Sequence, residues 1–372
     1  MIKLREVEEK DLLPLAEFLP RGFAYTTKEF WTARFEMWWA DNPAFTPQFP
    51  RGWVLENDSA LVGFIGNIPV KFLISGQERI AAASSSWFVD PSIRGMASLR
   101  LFNEFLKQKS ASLFLFKAED EQLMQFLSRY HFEEYILPKS RKEYVYILDK
   151  KHVFFNFSKF IFSKHIPKIA DLPELYKRFW FLLLGYMFQR SVARPDASAG
   201  EAYVSSVCTS CDDAFLPVCG HFLKSCNVTL SHDTRTLNWL YFPKARWFKR
   251  VVVQCRRSRD NSLAGYMVFD IERNHTSEPG NMRLMEMFIA DDNPGVLASL
   301  TTCAIETGKK NNAALLVVFA NTTETDRYFK STFLMRRAAR HFRYLKFSDT
   351  PEMRPVSDNP GYVCPSLIYP PQ

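Results

Sequence analysis

The chain has no cysteine before Cys208. The seven it has, at Cys208, Cys211, Cys219, Cys226, Cys255, Cys303 and Cys364, are odd in number and irregular in spacing. Such a set is not a disulfide framework. It reads as a chain kept in a reducing compartment, and a cytoplasmic location is expected. Long apolar runs are also missing: the longest, FWFLLLGYMF at 179–188, is ten residues, too short to span a bilayer. The opening residues MIKLREVEEKDLL are charged at once and hold no signal-peptide core. Neither a Gly-X-Ser-X-Gly elbow nor a Walker loop occurs, which removes the commonest serine-hydrolase and nucleotide-triphosphatase readings. The seven histidines are scattered without metal spacing. Cys208-Thr-Ser-Cys211, with Cys219, His221 and Cys226, is one CxxC with stray ligands, whereas a structural zinc site shows two regular pairs. No metal is expected.

What is present is apolar and aromatic. Of 372 residues, 47% are hydrophobic, enough to bury a core in each of about two ordinary domains. The net charge of +8 fits an anionic partner, such as a phosphorylated cofactor, an acidic carrier protein, RNA or a membrane surface. It fits a plain solvated surface of lysine and arginine equally well.

The chain repeats itself with a period of about 200 residues. One copy holds Arg34-Phe-Glu-Met-Trp38 and then Pro43; the other holds Arg235-Thr-Leu-Asn-Trp239 and then Pro243. Each reads as a helix with a proline stop. Hairpins follow: WVLEN and LVGFIG around the turn at 57–59, then VVVQC and LAGYMVF around 256–262. SSSWFVD at 84–90 matches LMEMFIA at 284–290, and Gly95 falls opposite Gly295. The helix 99–109 matches 300–310, and the strands SLFLF and ALLVVF match in turn. A short helix and a closing strand, KEYVYIL from Lys142 or HFRYLKF from His341, complete each copy. Residues 1–150 and 201–348 are therefore expected to be two domains of one α/β architecture. A helical connector and linker would occupy 151–200, and an extended proline-rich tail 349–372. Aromatic residues and lysines interleave at 153–188, as in two helices packing the lobes together or in an amphipathic surface making peripheral membrane contact.

The order of elements in each copy resembles the GNAT superfamily of acyl-CoA-dependent N-acyltransferases, in tandem. The resemblance implies two GNAT-like lobes, each a twisted mixed β-sheet with flanking helices. It also implies a loop after the fourth strand whose backbone amides and helix N-terminus hold a CoA pyrophosphate. The family pattern there is Arg or Gln, two residues, Gly, one residue, Gly or Ala. Residues 92–97 are Ser-Ile-Arg-Gly-Met-Ala: Gly95 and Ala97 fit the small positions, and Arg94 can reach a phosphate. Phe88 and Val89 would border the pantetheine arm. The second loop, Asp292 to Ala298, keeps only Gly295 and begins with an acid.

The resemblance places a general base on the fourth strand and a tyrosine acid on the following short helix. Glu286 and Tyr328 hold those positions in the second copy; Ser86 and Leu127 replace them in the first. The implied activity is acyl transfer from a thioester, acyl-CoA or acyl-carrier protein, to an amine-bearing small molecule, with no metal. Two readings stand beside it. One is a Fem-like aminoacyl-tRNA-dependent transferase, for which tRNA is the partner. The other is a noncatalytic binding protein that kept the fold.

Overall fold

The computed structural model describes residues 2–24, 26–118, 121–134, 142–149, 152, 202–223, 228–244, 249–272, 279–320, 322–333, 335–338 and 342–347. The connector at 151–200, with its membrane-facing expectation for 153–188, and the tail at 349–372 lie outside these residues, His152 apart. No helix of the described residues is long and apolar enough to cross a membrane.

In the first copy, β1 (Lys3–Glu6) leads to α1 (Leu12–Phe18) and α2 (Lys28–Phe35), which Thr27 caps by accepting from the Phe30 amide. The chain then takes a π turn, Glu36–Ala40, closed by the Asp41 amide donating to Glu36 O at 2.8 Å. The second copy has one residue fewer between its tryptophan and proline, so the extra residue of the first copy is absorbed as this wider turn. Next come β2 (Gly52–Asn57), β3 (Ala60–Ile74), β4 (Gln77–Val89), α3 (Met96–Lys107), β5 (Leu113–Ala118), α4 (Glu121–Arg129), β6 (Glu133–Glu134) and β7 (Lys142–Ile147). The second copy runs β8 (Tyr203–Cys208), α5 (Phe215–Leu223), β9 (Val228–Leu230), α6 (Thr234–Tyr241), β10 (Arg250–Arg257), β11 (Leu263–Ile271) and β12 (Asn281–Ile289). It ends with α7 (Pro294–Lys310), β13 (Leu315–Phe319), α8 (Thr323–Thr332), β14 (Met335–Ala338) and β15 (Phe342–Phe347).

Two mixed sheets result. The first has the order β1-β2-β3-β4-β5-β15-β6, with β9 on the far end of β3; the second has β8-β10-β11-β12-β13-β7-β14. The two orders match strand for strand, and so do the registers: Gly63 faces Val89 as Gly265 faces Ile289, and Phe64 faces Phe88 as Tyr266 faces Phe288. A Cβ on Gly63 would come within 3.3 Å of Leu101 on α3, and one on Gly265 within 2.9 Å of Val296 on α7. Glycine at this register is what lets α3 and α7 lie close against their sheets.

One expectation is corrected. The closing strands are exchanged: β7, from the end of the first copy, pairs with β13 and β14, while β15, from the end of the second, pairs with β5 and β6. The compact units therefore do not follow the boundaries 1–150 and 201–348. One gathers 1–137, 210–248 and 340–372; the other gathers 138–209 and 249–339. A strand pattern specifies an edge-compatible strand but not which of two like edges receives it. Helices α5 and α6 likewise belong to the first unit, where Trp239 Nε1 donates to Met37 O at 2.7 Å.

The first unit is stiffened by aromatic rings. Phe102 on α3 lies 4.7 Å from Tyr130, 4.8 Å from Phe126 and 5.3 Å from the stacked ring of Trp87. On the opposite face, Trp31, Phe35, Trp38, Trp39 and Phe64 are all buried. Each such ring contributes roughly 2–3 kcal/mol by burial. In the second unit, α7 sets Val296, Leu300 and Ala304 against Val253, Met267, Phe269 and Leu284.

Candidate functional site

The loop after β4 is closed at its start by Asp90, while no side chain caps the helix that follows. Asp90 Oδ1 accepts from the Ser92 amide at 3.0 Å and from Ser92 Oγ at 2.7 Å, closing a tight turn. Those bonds from Ser92, above all, hold the Asp90 carboxyl below its usual pKa, with smaller help from Arg21 and Arg94. Arg94 Nε donates to Val89 O at 3.0 Å, which fixes the guanidinium at the loop. Gly95 has φ +91° and precedes α3 with no side-chain cap; a Cβ there would meet nothing within 4 Å. Glycine is needed for its backbone angle, and the space beside it is open. Residues 94–96 are exposed, and Ala97 is buried beneath them in the α3 core. The first turn of α3 thus presents uncapped N–H groups and the positive end of a twelve-residue helix to solvent, with an arginine alongside.

The corresponding loop of the second unit is closed. Asn293 caps α7, its Oδ1 accepting from Gly295 N at 2.9 Å and Val296 N at 3.3 Å. Its Nδ2 donates to Tyr203 OH at 3.0 Å, and the Tyr203 ring covers Gly295, 3.1 Å from where a Cβ would stand. The amides that a phosphate would need are taken. Burial, and then the charge of Glu324, raise the pKa of Asp292 beside them.

Both units open a notch at the fourth strand. Parallel pairing of β4 with β5 ends at Ala83–Leu115, although β4 continues to Val89; that of β12 with β13 ends at Arg283–Val317, although β12 continues to Ile289. Within the first notch β4 carries a bulge opposite Ile65, where Ser86 adopts φ +56°. A non-glycine residue in that region stores about 1–3 kcal/mol, a cost that strands bear mostly near functional sites.

Of the sequence-derived candidates, the structure gathers Val89, Arg94, Gly95 and Ala97 around one loop. Phe88 points away. Its ring packs on Phe18 at 5.2 Å and Phe23 at 6.1 Å, and a Cβ on Gly22 would come within 2.3 Å of it. Val89 turns into the core beneath α3. What these two residues can offer a ligand is backbone. Glu286 is fully buried on β12, paired in register with Val268 and absent from the α7 core. Alternation across the bulge at Met285 puts it on the sheet face opposite α7. Tyr328 is half-buried on α8 and packs on Phe329, at 5.7 Å, against that α7 core.

Sequence reading missed one group. Arg34, noted only as a repeat landmark, is 2% exposed. Its guanidinium lies 4.8 Å from the ring centre of Trp38, 5.3 Å from Trp31 and 5.5 Å from Phe30. Nη2 reaches Ser85 Oγ at 3.5 Å, and Ser85 Oγ lies 3.4 Å from Ser86 Oγ. A buried cation stands behind the bulge of β4. The signal was legible in Phe30 and Trp31, the rings that the second copy lacks around Arg235.

No protein-family model and no curated protein matches the chain. Solved structures do. A probable N-acyltransferase of unknown function from Enterococcus faecalis V583 aligns over 94% of this chain and 73% of its own, at 11% identity and TM-score 0.55. Saccharomyces cerevisiae N-myristoyltransferase with bound myristoyl-CoA aligns over 93% and 79%, at 13% identity and TM-score 0.57. A GCN5-related N-acetyltransferase from Anabaena variabilis ATCC 29413 aligns over 94% and 73%, at 9% identity and TM-score 0.54. Matched strand orders, the notch beside each fourth strand and these alignments agree: the chain has a two-lobed GNAT-like fold, similar to that of N-myristoyltransferase.

Proposed function

We propose that the protein is an N-acyltransferase that takes an acyl-CoA at its first lobe and passes the acyl group to an amine. The observation that carries this reading is the asymmetry of the two loops: around Gly95 the amides are uncapped and exposed, around Gly295 they are capped by Asn293 and covered by Tyr203. The first loop has what a pyrophosphate requires, namely free N–H groups, a helix N-terminus, Arg94 and no obstructing Cβ. The β5-facing edge of β4 beyond Ala83 has lost its parallel partner, so its backbone can pair with an extended amide-bearing arm and polarise a thioester carbonyl. The first-lobe fourth strand has Ser86 where a carboxylate base would stand. The test is calorimetric titration of the protein with CoA. Micromolar binding that Gly95→Asp weakens supports the reading; a protein that does not bind CoA refutes it.

A second reading is favoured by Glu286. It is fully buried on the fourth strand of the second sheet, where the family resemblance places a general base. As base, with Tyr328 as acid, it would serve a transfer in the second lobe from an acyl-carrier or aminoacyl-tRNA donor, whose phosphates need not sit on the closed loop. Glu286→Gln should then lower turnover at least about a hundred-fold with folding intact. Near-full turnover of that variant excludes it.

A further inference from the structure

The π turn of the first unit borders a cleft of about 510 Å³, within the roughly 300–1,000 Å³ range of small-molecule sites. Its other wall is α6 and the residues just after it. The two copies of the Arg-Trp-Pro motif meet there: Met37 and Pro43 come from one, Trp239, Phe242 and Pro243 from the other. Its apolar side is Met37, Pro43, Trp239, Phe242 and Pro243, with Trp239 Nε1 tied to Met37 O.

The polar groups of the cleft are committed, with one exception. Thr234 Oγ1 donates to Asp213 at 2.7 Å; Asn238 accepts from the Cys211 amide and donates to the carbonyls of Cys211 and Thr234. Lys244 pairs with Asp41. Arg235 is exposed and makes no hydrogen bond or ion pair among the described residues. In the first copy the same motif position is the buried, ring-caged Arg34. In the second the guanidinium is held out at the rim of an apolar cleft, where a planar anion can take both of its outer N–H groups. The opposite wall belongs to the helix whose Arg34 touches Ser85 on β4; Met37 stands three residues on, about 4.5 Å along the axis.

We propose that this cleft binds a carboxylate with an apolar body, held by Arg235 over Met37, Trp239 and Phe242. Resting on the acyl-transfer reading above, the ligand is the acceptor, an amino acid with a large apolar side chain. Its nitrogen forms the new N–C bond as the thioester C–S bond breaks, and its proton ends on the departing thiolate.

The experiment is calorimetry on the full chain without CoA, using L-phenylalanine, 3-phenylpropanoate and phenethylamine as probes. The first two are expected to bind, with phenethylamine at least about tenfold weaker, as the loss of a charge-assisted carboxylate contact dictates. Arg235→Gln, a change at an exposed residue, should erase that preference. Equal binding of phenethylamine overturns the proposal, as does a preference that survives Arg235→Gln, or phenylpropanoate binding without phenylalanine binding. CoA is titrated separately: a failed CoA titration beside an intact carboxylate preference overturns the acyl-transfer reading and leaves the site standing.

Discussion

Replacing Gly95 separates charge from geometry at the proposed phosphate turn. Any L-residue at φ +91° carries strain of order 1–3 kcal/mol, but nothing lies within 4 Å of the new Cβ, so there is no clash to add. Gly95→Asn and Gly95→Asp share that strain and nearly the same shape. They differ by one negative charge at the uncapped N-terminus of α3. A carboxylate roughly 5 Å from a phosphate, at an effective dielectric constant of about 40–80, costs about 1–2 kcal/mol for each phosphate charge it meets. Gly95→Asp should therefore bind CoA about tenfold more weakly than Gly95→Asn, and the gap should narrow in molar salt. Thermal melts of both proteins check that they lose stability alike. Equal CoA affinity of the two variants would refute the argument that the turn holds phosphate, and so would a gap that ignores salt.

Three further outcomes follow from local chemistry. Asn293→Ala removes the cap of α7 and should cost about 1 kcal/mol, seen as a drop of a few degrees in Tm, without weakening CoA binding. Asp11 is pushed up by burial, but its bonds from Arg5, at 2.6 and 2.9 Å, and from the Glu8 amide outweigh that and leave its pKa lowered. The stability it gives is present above the ordinary carboxylate range and is lost as pH falls through the lowered folded value. Asp11→Asn should thus cost about 1–3 kcal/mol at pH 7 by urea melts and progressively less below pH 4. Fragments 1–200 and 201–372, each holding the other's closing strand, should aggregate or stay unfolded alone and co-purify as one folded complex when expressed together; two separately soluble folded lobes would contradict the exchange.

The duplication was legible because hydrophobic alternation, hairpin glycines and helix stops are local signals. Gly63 and Gly265 mark the same register in both sheets. The turn at 92–97 was legible through the family resemblance, and Gly95 does take the positive φ that favours glycine. The role of Asn293 needed the structure: the side chain that starts α7 is the one that takes up its amides. The exchange of β7 and β15 left no local trace, because both edges are alike. The packing of Phe88 onto Phe18 and Phe23, and the ring cage of Arg34, depend on contacts between distant segments. Alternation along a strand gives a residue's face, not what covers that face.

The exchanged strands also set a schedule for synthesis. Leu113 waits for Phe347 and Ala118 for Phe342, a separation of roughly 230 residues, which takes a ribosome on the order of 10–50 s. During that interval the outer edge of β5, rich in leucine and phenylalanine, has no strand beside it. Such an edge can recruit a foreign strand or a second nascent chain. The second sheet is differently placed: its borrowed strand β7 has left the ribosome before β13 is made. The first half of the gene is translated early, and its product is finished late.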